Sequence, residues 1–238
     1  MAAAPTVKGV LRRKASAVAI GVPVLRRLYQ WERHQVRPRG YAIARDVSNR
    51  MRYGPNAPRL GERLWIDPTR VGHFLVSGSS LADSGRVEAG AYFNRLQPIG
   101  DDPILQAAEA RWVNGLPWEE TGEIERMERA IRERGPIKGC RTRADILERC
   151  ARLDDIFRTV EREARLRPQG EVEPGTFREV GGIGMHIGPG GTPIRAANGR
   201  HRFAMVRILA LPLIPVRIGV VHESALPLLK DLRRPQQA

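Results

Sequence analysis

The stretch Asn198-Gly199-Arg200-His201-Arg202 constrains this chain most, because the apolar run Phe203 to Leu211 and then Pro212-Leu213-Ile214-Pro215-Val216-Arg217-Ile218 follow it. That order predicts a glycine turn, a helix and a strand. Asn198 is a good N-cap and Gly199 permits a close backbone approach. Ala204, Ile208 and Leu211 fall at i, i+4 and i+7, which gives the helix one apolar face. Pro212 ends the helix, and Val216, Ile218 and Val220 alternate as in a half-buried strand.

The first turn of that helix carries Arg200, His201 and Arg202, where the helix dipole is already positive. Two readings stay open. In one, an anion sits at the turn, and free backbone N–H groups and two guanidinium forks converge on it as a phosphate site. In the other, the three side chains point into solvent or pair with acids elsewhere.

Charge is distributed unevenly around this motif. The net charge is +14, but residues 1–60 hold thirteen Lys/Arg against Glu32 and Asp46, a net of +11. The rest of the chain is therefore only about +3 and reads as an ordinary globular body. Lysine accounts for only four of the forty basic residues, Lys8, Lys14, Lys138 and Lys230. A GC-rich genome produces such an arginine bias as readily as phosphate binding does, so the charge is no evidence for nucleic acid. Cys140 and Cys150 lack CxxC spacing and a nearby His, which argues against a zinc site or a disulfide framework and for a reducing, intracellular compartment.

Three regions are expected: a basic amphipathic helix and linker over 1–61, a globular domain over 62–225 and a short tail over 226–238. Within 7–34, Val10, Leu11, Val18, Leu25, Leu28 and Tyr29 supply an apolar face flanked by Arg12, Arg13, Lys14, Arg26, Arg27 and Arg33. The apolar stretch Ala15 to Leu25 is too short to span a bilayer. A helix lying on an anionic membrane surface is the sharper reading, with a basic arm on DNA as its rival. Residues 36–61, punctuated by Arg37-Pro38-Arg39-Gly40 and Gly54-Pro55-Asn56-Ala57-Pro58, read as a linker.

Leu64-Trp65-Ile66 opens the body as a strand, and Asp67 is an N-cap for the turn after it. That turn is expected to run helically through Phe74 and Leu75. Ser77-Gly78-Ser79-Ser80 reads as a flexible tip, and Arg86 to Arg95 as a strand with a glycine turn. Helices are predicted from Asp102-Pro103 to Asn114, from Gly122 to Arg134, and after the capping box Thr142-Arg143-Ala144-Asp145. The last has Ile146, Cys150, Leu153, Phe157, Val160 and Ala164 at three- and four-residue steps. Residues 167–179 read as a loop. Gly182 to Ile187 is a strand, Pro189-Gly190-Gly191 a hairpin turn, and Thr192 to Ala197 the returning strand. The fold class is α+β, a small mixed sheet flanked by helices.

Strand, Gly-Arg-His-Arg box, helix and Ile-Pro-Val-Arg-Ile strand together resemble the ParB/sulfiredoxin-like superfamily, over about Leu64 to His222. The chain is most similar there to a microbial and phage-like group with a Trp-x-Asp-Pro opening strand, here Trp65-Ile66-Asp67-Pro68, and a Pro-Trp-Glu-Glu-Thr connector, here Pro117 to Thr121. The resemblance implies a nucleoside triphosphate with Mg²⁺ at the box and a phosphotransferase or nucleotide hydrolase activity. A non-catalytic nucleotide-sensing or membrane-tethered module and a DNA-associated protein are the alternatives. Arg200 stands where sulfiredoxins carry Cys, which argues against sulfinic-acid reduction. The Glu of the partition-protein box is missing, and only 16 residues follow His222, too few for a helix-turn-helix module. The group's acidic Gly-Gly-Asp-Trp-Asp turn appears here as Ala89-Gly90-Ala91-Tyr92-Phe93-Asn94, without its acids.

The expected phosphate-binding residues are Asn198, Gly199, Arg200, His201, Arg202 and Arg95. His201 and Glu88 are the candidates for proton transfer, and no metal-ligand set stands out. His186 reads as a strand residue facing core or surface. Such a protein would be cytoplasmic, or peripheral on the inner face of the membrane.

Overall fold

The computed structural model describes residues 31–77 and 79–234. Most of the basic helix expected over 7–34 lies outside the described residues. Glu32–Val36 form a π-helical turn that runs directly into α1, Arg37–Tyr53. This corrects the reading of 36–61 as a linker. Pro38 sits in the first turn, where its missing N–H costs nothing. Docking offsets the interior Gly40: buried Asn49 donates to the carbonyls of Pro58 and Gly85, each at 2.7 Å. Asp46 accepts from Leu60 N at 2.8 Å and pairs with Arg178.

β1 (Arg63–Ile66) opens the body. The Asp67 carboxylate then caps a 3₁₀ turn by accepting from Thr69 N at 2.8 Å. A short strand β2 (His73–Phe74) replaces the expected helical continuation. β3 (Val87–Glu88), a 3₁₀ helix over Gly90–Arg95 and β4 (Gln97–Pro98) follow. Three helices come next: α2 (Pro103–Trp112), α3 (Glu123–Arg134) and α4 (Arg143–Glu163). Asp102 caps α2, and Thr142 and Asp145 form the capping box of α4. α5 (Gln169–Val172) is a short helix within the expected loop. β5 (Ile183–Ile187), β6 (Pro193–Arg195), α6 (Arg200–Ile208), β7 (Ile214–His222) and α7 (Leu229–Leu232) follow among the described residues.

The sheet runs β1-β7-β5-β6-β2-β4, with β3 also on β7. β7 pairs antiparallel with β1 and parallel with β5 and β3. The architecture is thus α+β, with a small open mixed sheet and helices around it. The expectation that β7 is half-buried is corrected: Ile214 to Val221 are all buried. Ile214, Val216 and Ile218 enter the main core with Phe203 and Val206 of α6, while Val220 packs with Leu75, Phe93 and Ile194 in a separate cluster. A strand covered on both faces loses its polar alternation.

α3 and α4 carry a second core. Ile146, Cys150, Leu153 and Phe157 meet Trp118, Ile124 and Met127, and Met205 of α6 joins them. Both cysteines are buried and free. The tail is part of the body: Ala225 and Leu229 are fully buried in the main core, and Arg233 pairs with Glu62 at 2.8 Å.

Candidate functional site

Gly199 lies at φ 74°, the left-handed region, and a Cβ there would stand 2.8 Å from the Ile183 Cα. Only glycine fits both constraints. Gly199, rather than the expected Asn198, is the N-cap of α6, and no side chain caps this helix. The Asn198 amide is turned the other way and donates to the Ser79 carbonyl at 2.6 Å. Residues 198–202 are half-buried, so the first turn of α6 borders solvent. Its opening N–H groups are those that a helix leaves without internal acceptors.

Each cationic side chain of the box turns inward. Arg200 pairs with Asp102, which is 2% exposed. The same carboxylate faces Arg195 at 2.6 Å, and Arg195 is wholly buried between the rings of Phe74 and Phe203. Asp102 also accepts from Ile104 N at 3.1 Å, so one carboxylate caps α2 and faces two guanidiniums. The Arg195 contact is close but poorly aligned: its Nε and Nη2 make no hydrogen bond among the described residues, and neither does the Arg200 Nε. Burial pushes the Arg195 guanidinium down to about 10, against the pull of Asp102.

His201 Nε2 lies 3.0 Å from Glu123 Oε1. Glu123 is buried at the start of α3 and also takes a two-pronged bond from Arg126, at 2.7 Å on each oxygen. Burial works to raise the Glu123 carboxyl, but the bonds from His201 and Arg126 hold it down at about 2. Burial lowers the His201 imidazole, outweighing the carboxylate. The pair is therefore a neutral imidazole donating Nε2–H to a carboxylate at neutral pH.

Arg202 donates to Gln169 Oε1 at 3.0 Å and to the Gly181 carbonyl. Both acceptors are neutral. The neighbouring acid Glu179 is paired with Arg63 at 2.6 Å and attracts Arg202 only through space, and burial outweighs that attraction and lowers the Arg202 guanidinium.

Ser79, expected on a flexible tip, is anchored over this corner. Its hydroxyl accepts from Ala197 N at 2.9 Å, and its carbonyl accepts from Asn198 and from Arg217 Nη2 at 3.2 Å. Gly78 lies outside the described residues.

No family model, curated protein or solved structure matches the chain.

The structure does not bring Glu88 or Arg95 to the box. Glu88 pairs with Arg86 at 3.0 Å and lies in register with His222. The box is adjacent to Gly184, which lies in register with Arg217. Five residues of β7 separate the two levels, roughly 16 Å at about 3.3 Å per residue. Arg95 is exposed at the entry to β4, and β2 stands between β4 and the strand leading to the box.

His186 is a buried structural residue. Its Nδ1 accepts from Val220 N at 2.9 Å where the β5–β7 register shifts. Burial pushes this imidazole down to about 4. Trp112 and Trp118 pack in the second core, and both donate their indole N–H to Asp154, at 2.8 and 3.2 Å.

Sequence reasoning missed Glu123, Glu179 and Asp154 as the acids that organise this region. Asp102 was legible only as the start of a helix. A helix-start acid such as Glu123 looks like an ordinary response to the dipole. Among the described residues, no three His, Cys, Asp or Glu side chains converge to hold a metal ion.

Proposed function

We propose that the first turn of α6 binds the phosphates of a nucleotide, and that the chain is a ParB/sulfiredoxin-like nucleotide-binding protein. One observation carries the reading: positive charge exceeds negative charge in the half-buried corner where α6 begins. Asp102 is shared by two arginines, and Arg202 is bonded only to neutral acceptors. Guanidinium charge held out of water without a matching anion is unfavourable. An arriving phosphate would meet uncapped backbone N–H groups and that surplus charge together.

Arg200 is the mobile member in this reading. Its side chain is 22% exposed, whereas Arg195 is fully buried. If Arg200 turns to a phosphate, Asp102 keeps Arg195 and its Ile104 bond. Gly199 seats the left-handed turn against Ile183, which fixes where the helix begins. His201, tied to Glu123, holds the first turn in place and donates nothing further through Nε2.

A bound Mg²⁺ fits poorly. Asp102 and Glu123, the acids beside the box, are buried and fully engaged. We therefore favour a binding module over a phosphotransferase or hydrolase, and we derive no transfer step.

Thermal unfolding with ATP, CTP and GTP tests the proposal. A ligand bound only to the native state at a hundredfold excess over Kd adds about 2.7 kcal/mol, which raises Tm. Arg200→Gln should fold normally and lose most of that rise. No rise with any nucleotide, or an equal rise in Arg200→Gln, overturns the reading. Sustained phosphate release would restore the enzymatic one.

A further inference from the structure

We propose that the outward face of α1 docks on an anionic membrane surface. Val36, Ile43, Val47 and Met51 are 43%, 71%, 53% and 84% exposed. At about 100° per residue they fall within an arc of roughly 80°. Pro38, Ala42 and Asn49, the buried residues of α1, occupy the opposite side of the helix. The helix is thus apolar on the side that faces solvent, which a merely solvated surface helix is not.

Charge flanks this stripe. Arg39 and Arg50 border one edge and Arg37 the other, with Arg52 beyond it. Both acids of residues 31–53 are paired. Glu32 is paired with Arg37, and Asp46 is held by Leu60 N and Arg178. An apolar stripe between arginines, without free carboxylates, matches the interface of an anionic bilayer: side chains insert among acyl chains while guanidiniums meet headgroups.

Other occupants fit this face less well. A second copy would set these arginines against one another. Residues 7–29 carry Lys8, Arg12, Arg13, Lys14, Arg26 and Arg27 and no acid, so they are equally like-charged. A nucleic acid supplies negative charge but no partner for Ile43, Val47 and Met51. None of the described helices is long and apolar enough to cross a bilayer, so the proposed contact lies along the surface. The proposal is independent of the nucleotide reading, because α1 contributes no residue to the box.

The test is co-sedimentation of the full chain with phosphatidylcholine vesicles, with and without phosphatidylglycerol. Binding is expected only with phosphatidylglycerol, and it should weaken as salt rises. Ile43→Ser with Met51→Ser should reduce binding at least about tenfold. Arg39→Gln with Arg50→Gln should reduce it about fivefold per arginine. All four side chains are exposed, so both variants should unfold at the temperature of the parent chain. Failure to sediment with anionic vesicles overturns the proposal, and so does unchanged sedimentation of the serine variant. Two further results would also overturn it. One is a dimer that the serine substitutions dissociate, which would make the face an interface between copies. The other is DNA retention lost in the glutamine variant while neither variant changes vesicle binding.

Discussion

Asp102 and Arg195 form an ion pair at 2.6 Å that water does not reach, with 2% and 0% of their side chains exposed. The pair ties the start of α2 to the end of β6, two elements far apart in the chain. It also sets the charge balance beside the box, because Arg200 leans on the same carboxylate.

Asp102→Ala should therefore destabilise the protein by about 3–5 kcal/mol, since it leaves a buried guanidinium without its counter-charge. About 1 kcal/mol of that is loss of the α2 cap. Asp102→Asn keeps a capping side chain and should fall short of the alanine variant by roughly that amount. Urea unfolding of both variants measures the difference.

His186 and Gly219 should prove coupled. A Cβ at Gly219 would stand 2.5 Å from His186 Nδ1 and 3.0 Å from the Met185 carbonyl. Gly219→Ala should cost about 1–3 kcal/mol through overpacking. His186→Ala should cost a comparable amount, because it strands the buried Val220 N–H and leaves a cavity. The double variant should cost less than the sum, as removing the imidazole removes one of the two clashes. Additive effects in a double-mutant cycle would mean that the two residues do not share this contact.

Stability should fall in acid in two stages. His186 is held near 4 in the fold, below its ordinary value of 6.5. The unfolded chain therefore takes up the proton first, and stability is lost as pH falls from about 6.5 toward 4, by roughly 3 kcal/mol. His201 is also lowered and adds in the same direction. Glu123 is held at about 2 against an ordinary 4.5, so its contribution is present above 4.5 and disappears as pH falls toward 2. Calorimetric melting between pH 8 and about pH 2 would show both stages. His186→Asn should flatten the upper one.

Truncation should separate the tail into two parts. Ending the chain after Ala225 removes Leu229, which is 0% exposed in the main core. That should cost at least about 2–4 kcal/mol or prevent folding, by analogy with emptying a leucine site. Ending it after Leu232 removes only Arg233 and the last few residues beyond it. Glu62 keeps its 3.2 Å pair with Arg59, so the loss should stay near 1 kcal/mol. Equal losses in denaturant unfolding would mean that Leu229 does not anchor the tail.

Wherever one local rule suffices, the sequence is legible. Asp67, Asp102 and Thr142 cap as their residue types require, because a cap acts within three residues of itself. The periodicity of α4 places Ile146, Cys150, Leu153, Phe157 and Val160 inward, but Ala164, the next in that series, is the exposed C-cap in the left-handed region. Proline and glycine misled over 37–53, since Pro38 is harmless in a first turn and docking of Asn49 outweighs Gly40. Of the candidate site, the turn at Gly199 and the helix after it were readable. The partners of Arg200, His201 and Arg202 were not, and neither was the distance of Glu88 from the box.

The chain's order of residues by itself determined a glycine turn, a helix start crowded with cationic side chains, and strands able to flank it. Only the tertiary structure decided where those basic side chains turn. Asp102 lies 98 residues from Arg200, and Glu123 lies 78 from His201. Such pairings depend on which helix starts the sheet brings together. A buried charge is fixed by whatever counter-charge or dipole the fold delivers to it, and no spacing along the chain records that.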